Sequence, residues 1–175
     1  VQPIQAGAVN LMVAGRGIVH SERAGADLDV LSHLHGIQSW IALPVAEQEC
    51  APAFTHFSAA QLPQVDLGGA RVRIIMGAAF GESSPVQTFS DTLYLDCALD
   101  AGAELALPGG VEELAFYVVT GAVAAGAVAI DTGRMAVAGP GRARTVRALA
   151  DCRLMVIGGA NIGPRHIEWN FVSDS

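Results

Sequence analysis

The apolar residues of this chain come in short bursts, and that limits it to few folds. The runs "VNLMVA", "IQSWIALPV", "ARVRIIMGAAF", "TLYLDCAL", "LAFYVVTGAV", "RMAVA", "RTVRALA" and "CRLMVIGGA" are mostly strand-sized, and glycine, proline and aspartate separate them. Bursts of that length read as strands, whereas helices need a longer periodic pattern. In "TLYLDCALD", Leu93, Leu95 and Cys97 alternate with Tyr94, Asp96 and Ala98, as a strand with one buried face requires. Twenty glycines supply turns, and "DAGAELALPGG" and "DTGR" put aspartate and glycine where the chain reverses. The expected class is all-β. Helical spacing can be argued only for "GADLDVLSHL" and "ECAPAFTHFSAAQL", and Pro52 limits the second to a short turn.

Composition narrows the function classes. With 175 residues, 51% of them apolar, and a mean hydropathy of +0.41, the chain can build one full core or two small ones and is not a disordered protein. Only 15% of residues are charged, the net charge is -7, and all ten basic residues are arginines placed singly. No basic stripe awaits a phosphate backbone, which argues against direct nucleic-acid binding. The most apolar segment, "FYVVTGAVAAGAVAI", is broken by glycines and reads as strand-turn-strand, so no membrane span is expected.

The cysteines Cys50, Cys97 and Cys152 are odd in number and form no C-x-x-C pair. They fit buried thiols in a reducing, cytoplasmic setting. The chain opens on Val1, and "VQPIQAGAV" has neither the charged start nor the continuous apolar centre of a signal peptide. The expectation is a piece of something longer or a processed start. A composition change in "AQLPQVDLGGARVRI" marks a connection into a second sheet system.

Chemistry concentrates in "GRGIVHSER", where His20 and Glu22 stand at i and i+2. In a strand that spacing puts both side chains on one face, roughly 7 Å apart along the backbone. Mixed imidazole and carboxylate sets suit iron(II), manganese, nickel or zinc, normally with three or four protein ligands. By spacing alone His33 and His35 in "SHLHGIQSW" could complete such a set. His56 and His166 stand apart from it as structural histidines, although His166 and Glu168 repeat the same spacing. Ser21, Ser83 and Ser84 lack the neighbouring base and orienting acid of a nucleophile. Trp40 and Trp169 read as core or interdomain anchors.

The segments "AGRGIVHSE", "HGIQSWIALP", "SPVQTFSDTLYLDCALDAGAELALP" and "GGANIGPRHIEWNFVS", in that order, resemble the pirin family of bicupin proteins over nearly the whole chain. The resemblance implies cupin-type jelly-roll barrels: residues 1–60 as the remaining part of an N-terminal cupin domain, and residues 61–175 as a nearly complete C-terminal cupin domain with its tail. It implies an iron-type centre of three histidines and one glutamate, in which His20 and Glu22 supply the H-x-E half. The family's other pair is an upstream H-x-H, for which this chain has no counterpart. His35 falls at a family position that is not a ligand. Where the family's turn ahead of the H-x-E reads P-G-D, this chain has Ala6-Gly7-Ala8. The second barrel carries no metal in the family, and residues 70–160 contain no histidine.

Two functions follow from the resemblance. One is a metal-dependent, quercetin 2,3-dioxygenase-like oxidation of a small flavonol-like aromatic, with Fe(II), Ni, Mn or Zn as cofactor and Glu22 as a proton acceptor. The other is a non-catalytic co-regulator that binds protein partners. A barrel short of strands exposes edges, which also points to a homodimer through those edges.

Overall fold

The computed structural model describes residues 1–23, 25, 29, 31, 35–139 and 145–175. The expected all-β fold is present. The strands are β1 (Val9–Val13), β2 (Ala53–Phe57), β3 (Gln64–Asp66), β4 (Ala70–Met76), β5 (Ala78–Ala79), β6 (Glu82–Ser83), β7 (Thr92–Leu99), β8 (Glu104–Ala106), β9 (Glu113–Thr120), β10 (Ala122–Ala125), β11 (Val128–Asp131), β12 (Met135–Ala138), β13 (Thr145–Ala148), β14 (Cys152–Gly159), β15 (His166–Glu168) and β16 (Phe171–Ser173). The helical residues among those described are two 3-10 turns, Val45–Glu47 and Ala59–Gln61. None of these elements is long and apolar enough to cross a membrane as a helix.

Two antiparallel sheets form a jelly-roll sandwich. One has the order β12-β9-β14-β7-β4-β3 and the other β11-β10-β13-β8. Register explains the core. Across the larger sheet Val72, Cys97, Leu154 and Val118 make one row, and Ile74, Leu95, Val156 and Phe116 make the next. Facing them from the smaller sheet are Leu105, Val123, Ile130, Val146 and Ala148, and all of these side chains belong to one buried cluster. Burying each large aliphatic side chain contributes about 1.5–3 kcal/mol, so these rows dominate the fold's stability.

Gly77 illustrates how closely the backbones approach. At φ +80°, a Cβ there would lie 2.1 Å from the Thr92 carbonyl oxygen, just past the irregularity between Ile74 and Met76 where β4 shifts register on β7. The segment expected as strand-turn-strand becomes β9, β10 and β11. Gly121, at φ +78°, separates β9 of the larger sheet from β10 of the smaller one.

The chain divides into two compact units. The first comprises Val1–Asn10 and His56–Gly163 and holds the sandwich; the second comprises Leu11–Thr55 and Pro164–Ser175. Among the described residues, every buried apolar side chain lies between Leu62 and Val156. No described residue of the second unit is a buried apolar one, and Ile37, Trp40, Ile41, Val45, Phe54, Ile167, Trp169 and Phe171 are exposed. Trp40 and Trp169 are thus not core residues: Trp169 is 85% exposed and touches Phe171 edge-on at 6.5 Å.

Two local expectations change, and a third falls largely outside the described residues. "ECAPAFTHFSAAQL" holds strand β2 where helical spacing was arguable, because Ala53–Phe57 pairs with β1, and helix is confined to one 3-10 turn whose Gln61 side chain accepts from the Ser58 amide at 2.9 Å. "IQSWIALPV" is not a strand: residues 35–44 have no regular structure. A strand needs a neighbour for its backbone groups, and no described strand runs beside this segment. "GADLDVLSHL" lies largely outside the described residues.

Candidate functional site

The H-x-E segment begins where β1 ends. A turn follows, with the Gly17 amide donating to the Ala14 carbonyl at 2.9 Å and the Arg16 amide donating to the Cys50 carbonyl at 3.1 Å. Gly15 makes this possible: it sits at φ +50°, and a Cβ there would lie 2.1 Å from the Cys50 carbonyl oxygen. Only a residue without a side chain lets the two backbones approach so closely. The turn thereby fastens the start of "GRGIVHSER" to the loop that leads into β2.

His20 and Glu22 are both exposed, on a stretch, residues 17–23, with no regular secondary structure. They therefore take no shared face from a paired strand. His35 is exposed on irregular chain as well, and His33 lies outside the described residues. Among the described residues no three His, Cys, Asp or Glu side chains converge as a metal-holding group.

The remaining singled-out residues have local roles. His56 Nδ1 is 2.7 Å from Asn10 Oδ1. Since an amide oxygen only accepts, the pair is a hydrogen bond in the tautomer that carries the proton on Nδ1. His166 and Glu168 are exposed on β15; with Arg165, Ile167, Phe171, Ser173 and Ser175 they line a hollow of about 600 Å³ that includes neither His20 nor Glu22. Arg165 donates to the Leu43 carbonyl from Nε at 3.3 Å and from a terminal nitrogen at 3.0 Å, tying the C-terminal segment to residue 43. Ser84 is a turn residue: its hydroxyl donates to the Ile75 carbonyl at 2.6 Å and accepts from the Val86 amide at 3.2 Å.

The three cysteines are free thiols. Burial pushes the Cys97 thiol far up, with the Asp96 carboxylate and Cys152 adding to it. Cys152 is raised by burial and then by Asp151, against a backbone hydrogen bond from Leu99 that lowers it. Both stay protonated and unreactive near neutrality.

Sequence reading missed a charged cluster on the outer face of the larger sheet. Arg153 grips Asp96 through two 2.7 Å hydrogen bonds, and Arg73 lies 3.5 Å from the same carboxylate. The hydrogen bond to Asp96 raises the Arg153 guanidinium's pKa further. The only sequence signal was the alternation in "ARVRI", which puts Arg71 and Arg73 on one face; their partners depend on register across strands.

Two family models match the chain. The pirin model covers residues 1–41 and the model of the pirin C-terminal cupin domain covers residues 94–175. The chain belongs to the pirin family. A pirin-like protein of Caulobacter vibrioides is 40% identical over 168 residues, which is 95% of this chain and 58% of that protein. Pirin-1 of Arabidopsis thaliana is 38% identical over 101 residues, 58% of this chain and 33% of that protein. Among solved structures, a quercetin 2,3-dioxygenase from Acinetobacter baumannii superposes on 99% of this chain and 57% of its own, with a TM-score of 0.89 at 28% identity. The pirin-family chain spans a little over half the length of the first curated relatives it matches. Its sandwich is a cupin fold, as the C-terminal cupin model and the superposition both indicate.

Proposed function

We propose that this pirin-family chain is part of a metal-binding cupin whose centre takes Fe(II), or Ni, Mn or Zn in its place, with His20 as nitrogen ligand and Glu22 as oxygen ligand. In the same reading residues 1–60 belong to the N-terminal cupin domain that carries the centre, residues 61–175 form the metal-free second cupin and tail, and the setting is cytoplasmic. The observation that carries the reading is the near-complete superposition on a quercetin 2,3-dioxygenase by a chain that holds H-x-E at the family's ligand position.

One imidazole and one carboxylate suit these ions in kind, and both side chains stand exposed. In number they are two of the four ligands that the family resemblance implies. A bound ion would supply Lewis acidity toward a substrate oxygen. Glu22 would accept the hydroxyl proton of a flavonol-like substrate, since a carboxylate beside the ion can act as a general base. With two ligands absent from the described set, metal affinity falls by orders of magnitude.

Anaerobic loading with iron or nickel, followed by desalting and metal analysis, tests this. The expected content is far below one ion per chain, unchanged in His20→Ala. Near-stoichiometric metal that His20→Ala abolishes would overturn the half-site reading. The protein-binding reading is favoured by one separate observation, the exposed Trp40, Phe54, Trp169 and Phe171 of the second unit. A co-regulator would bind its protein partner as well with Glu22→Gln as without it.

A further inference from the structure

The arginine cluster on the outer sheet face has the makings of a second site, one independent of His20 and Glu22. Register sets Gln64, Arg73, Asp96 and Met155 side by side across β3, β4, β7 and β14, and sets Arg71, Ala98 and Arg153 in the adjoining row. Ala98 is thus a methyl-sized floor between two guanidinium-bearing neighbours. Gln64, Arg71, Arg73, Asp96, Ala98 and Arg153 together line a hollow of about 260 Å³.

The charges in that hollow are pinned and unequal. Asp96, its side chain 11% exposed, holds Arg153 through both oxygens and draws in Arg73, whose side chain is 24% exposed. Arg71 pairs with Asp100 at the edge at 3.2 Å, while Asp66, on the same face, accepts from the Gly68 amide. Three cations therefore line the hollow with one carboxylate, in a chain whose net charge is -7. Each guanidinium has five donors; Arg153 commits two to Asp96 and Arg71 one to Asp100.

We propose that this hollow binds a small-molecule carboxylate, its head seated over Ala98 between Arg71 and Arg153. The guanidinium fork matches a planar carboxylate, and charge-assisted pairs of this kind are among the stronger hydrogen bonds. Asp96 shows the match from within the protein: it fills one side of the cluster with the same group a ligand would bring to the other. The volume suits an acid of a few carbons, given that one water occupies about 30 Å³ in the liquid.

Titration of the folded chain with succinate, followed through arginine Nε–H signals by NMR against chloride at equal ionic strength, tests the assignment. Saturable shifts at Arg71 and Arg153 are expected with succinate and not with chloride. Arg71→Gln is expected to weaken binding about tenfold, the loss of one charge-assisted contact, and Arg134→Gln to leave it unchanged. Ala98→Glu supplies its own carboxylate and is expected to abolish the response. Linear shifts that chloride reproduces, or saturable shifts that ignore Arg71→Gln, would overturn the proposal even if Ala98→Glu fails to fold. A tetraglutamate peptide bound more than tenfold tighter than succinate would assign the hollow to a protein carboxylate and overturn the small-molecule reading.

Discussion

Cys97 couples this fold to pH. Its thiol is fully buried in the row between Val72 and Leu154, and burial raises it above the ordinary value of 9.0. The folded state therefore keeps a proton that the unfolded chain releases above pH 9. The thiol's contribution is fully present below that pH and is lost as pH rises toward the folded value, with a slope of about 1.4 kcal/mol per pH unit. Urea unfolding between pH 8 and 10.5 should show this loss, and Cys97→Val should reduce it, leaving the share of Cys152, which burial also raises. The same burial predicts that a thiol reagent at neutral pH modifies half-buried Cys50 well before Cys97, which reacts only on unfolding. That Cys97 is a core residue was legible from its place in "TLYLDCALD". That Asp96 beside it anchors Arg73 and Arg153 was not, because those contacts join residues 23 and 57 positions away in sequence.

At the level of elements, the rows across β4, β7, β14 and β9 carry the stability. Leu154→Ala empties the centre of one row and should cost roughly 2–5 kcal/mol in chemical denaturation. Gly77→Ala should cost upward of about 2 kcal/mol, since it combines a strained positive φ with a Cβ 2.1 Å from the Thr92 carbonyl oxygen. Asp96→Asn should cost roughly 1–3 kcal/mol, since it removes the charge that two partly exposed guanidiniums share from a carboxylate only 11% exposed. Strands such as β7 and β14 were readable because alternation and a buried face coincide in them. "IQSWIALPV" was not, because its apolar content is strand-like while the pairing that would make it a strand lies outside the segment itself. In "GRGIVHSER" the i, i+2 spacing is visible in sequence, while the strand pairing that would fix both side chains on one face is not formed by residues 17–23.

For the whole molecule, the contrast between the two units is the main physical fact. The first owns the core, and the second exposes large apolar side chains while burying none among the described residues. Local opening follows such differences in burial, so limited proteolysis should cut within residues 14–23, within 35–52 or near Pro164 before it cuts the strands of the sandwich. The candidate metal ligands lie in the less protected unit. The most direct test of their role is a Mn(II) titration followed by paramagnetic broadening in NMR spectra of the chain. His20 and Glu22 should broaden together at low Mn(II), the broadening should disappear in His20→Ala, and desalting should remove the ion. Broadening centred on His56, or on His166 and Glu168, with His20 and Glu22 unaffected, would contradict that role.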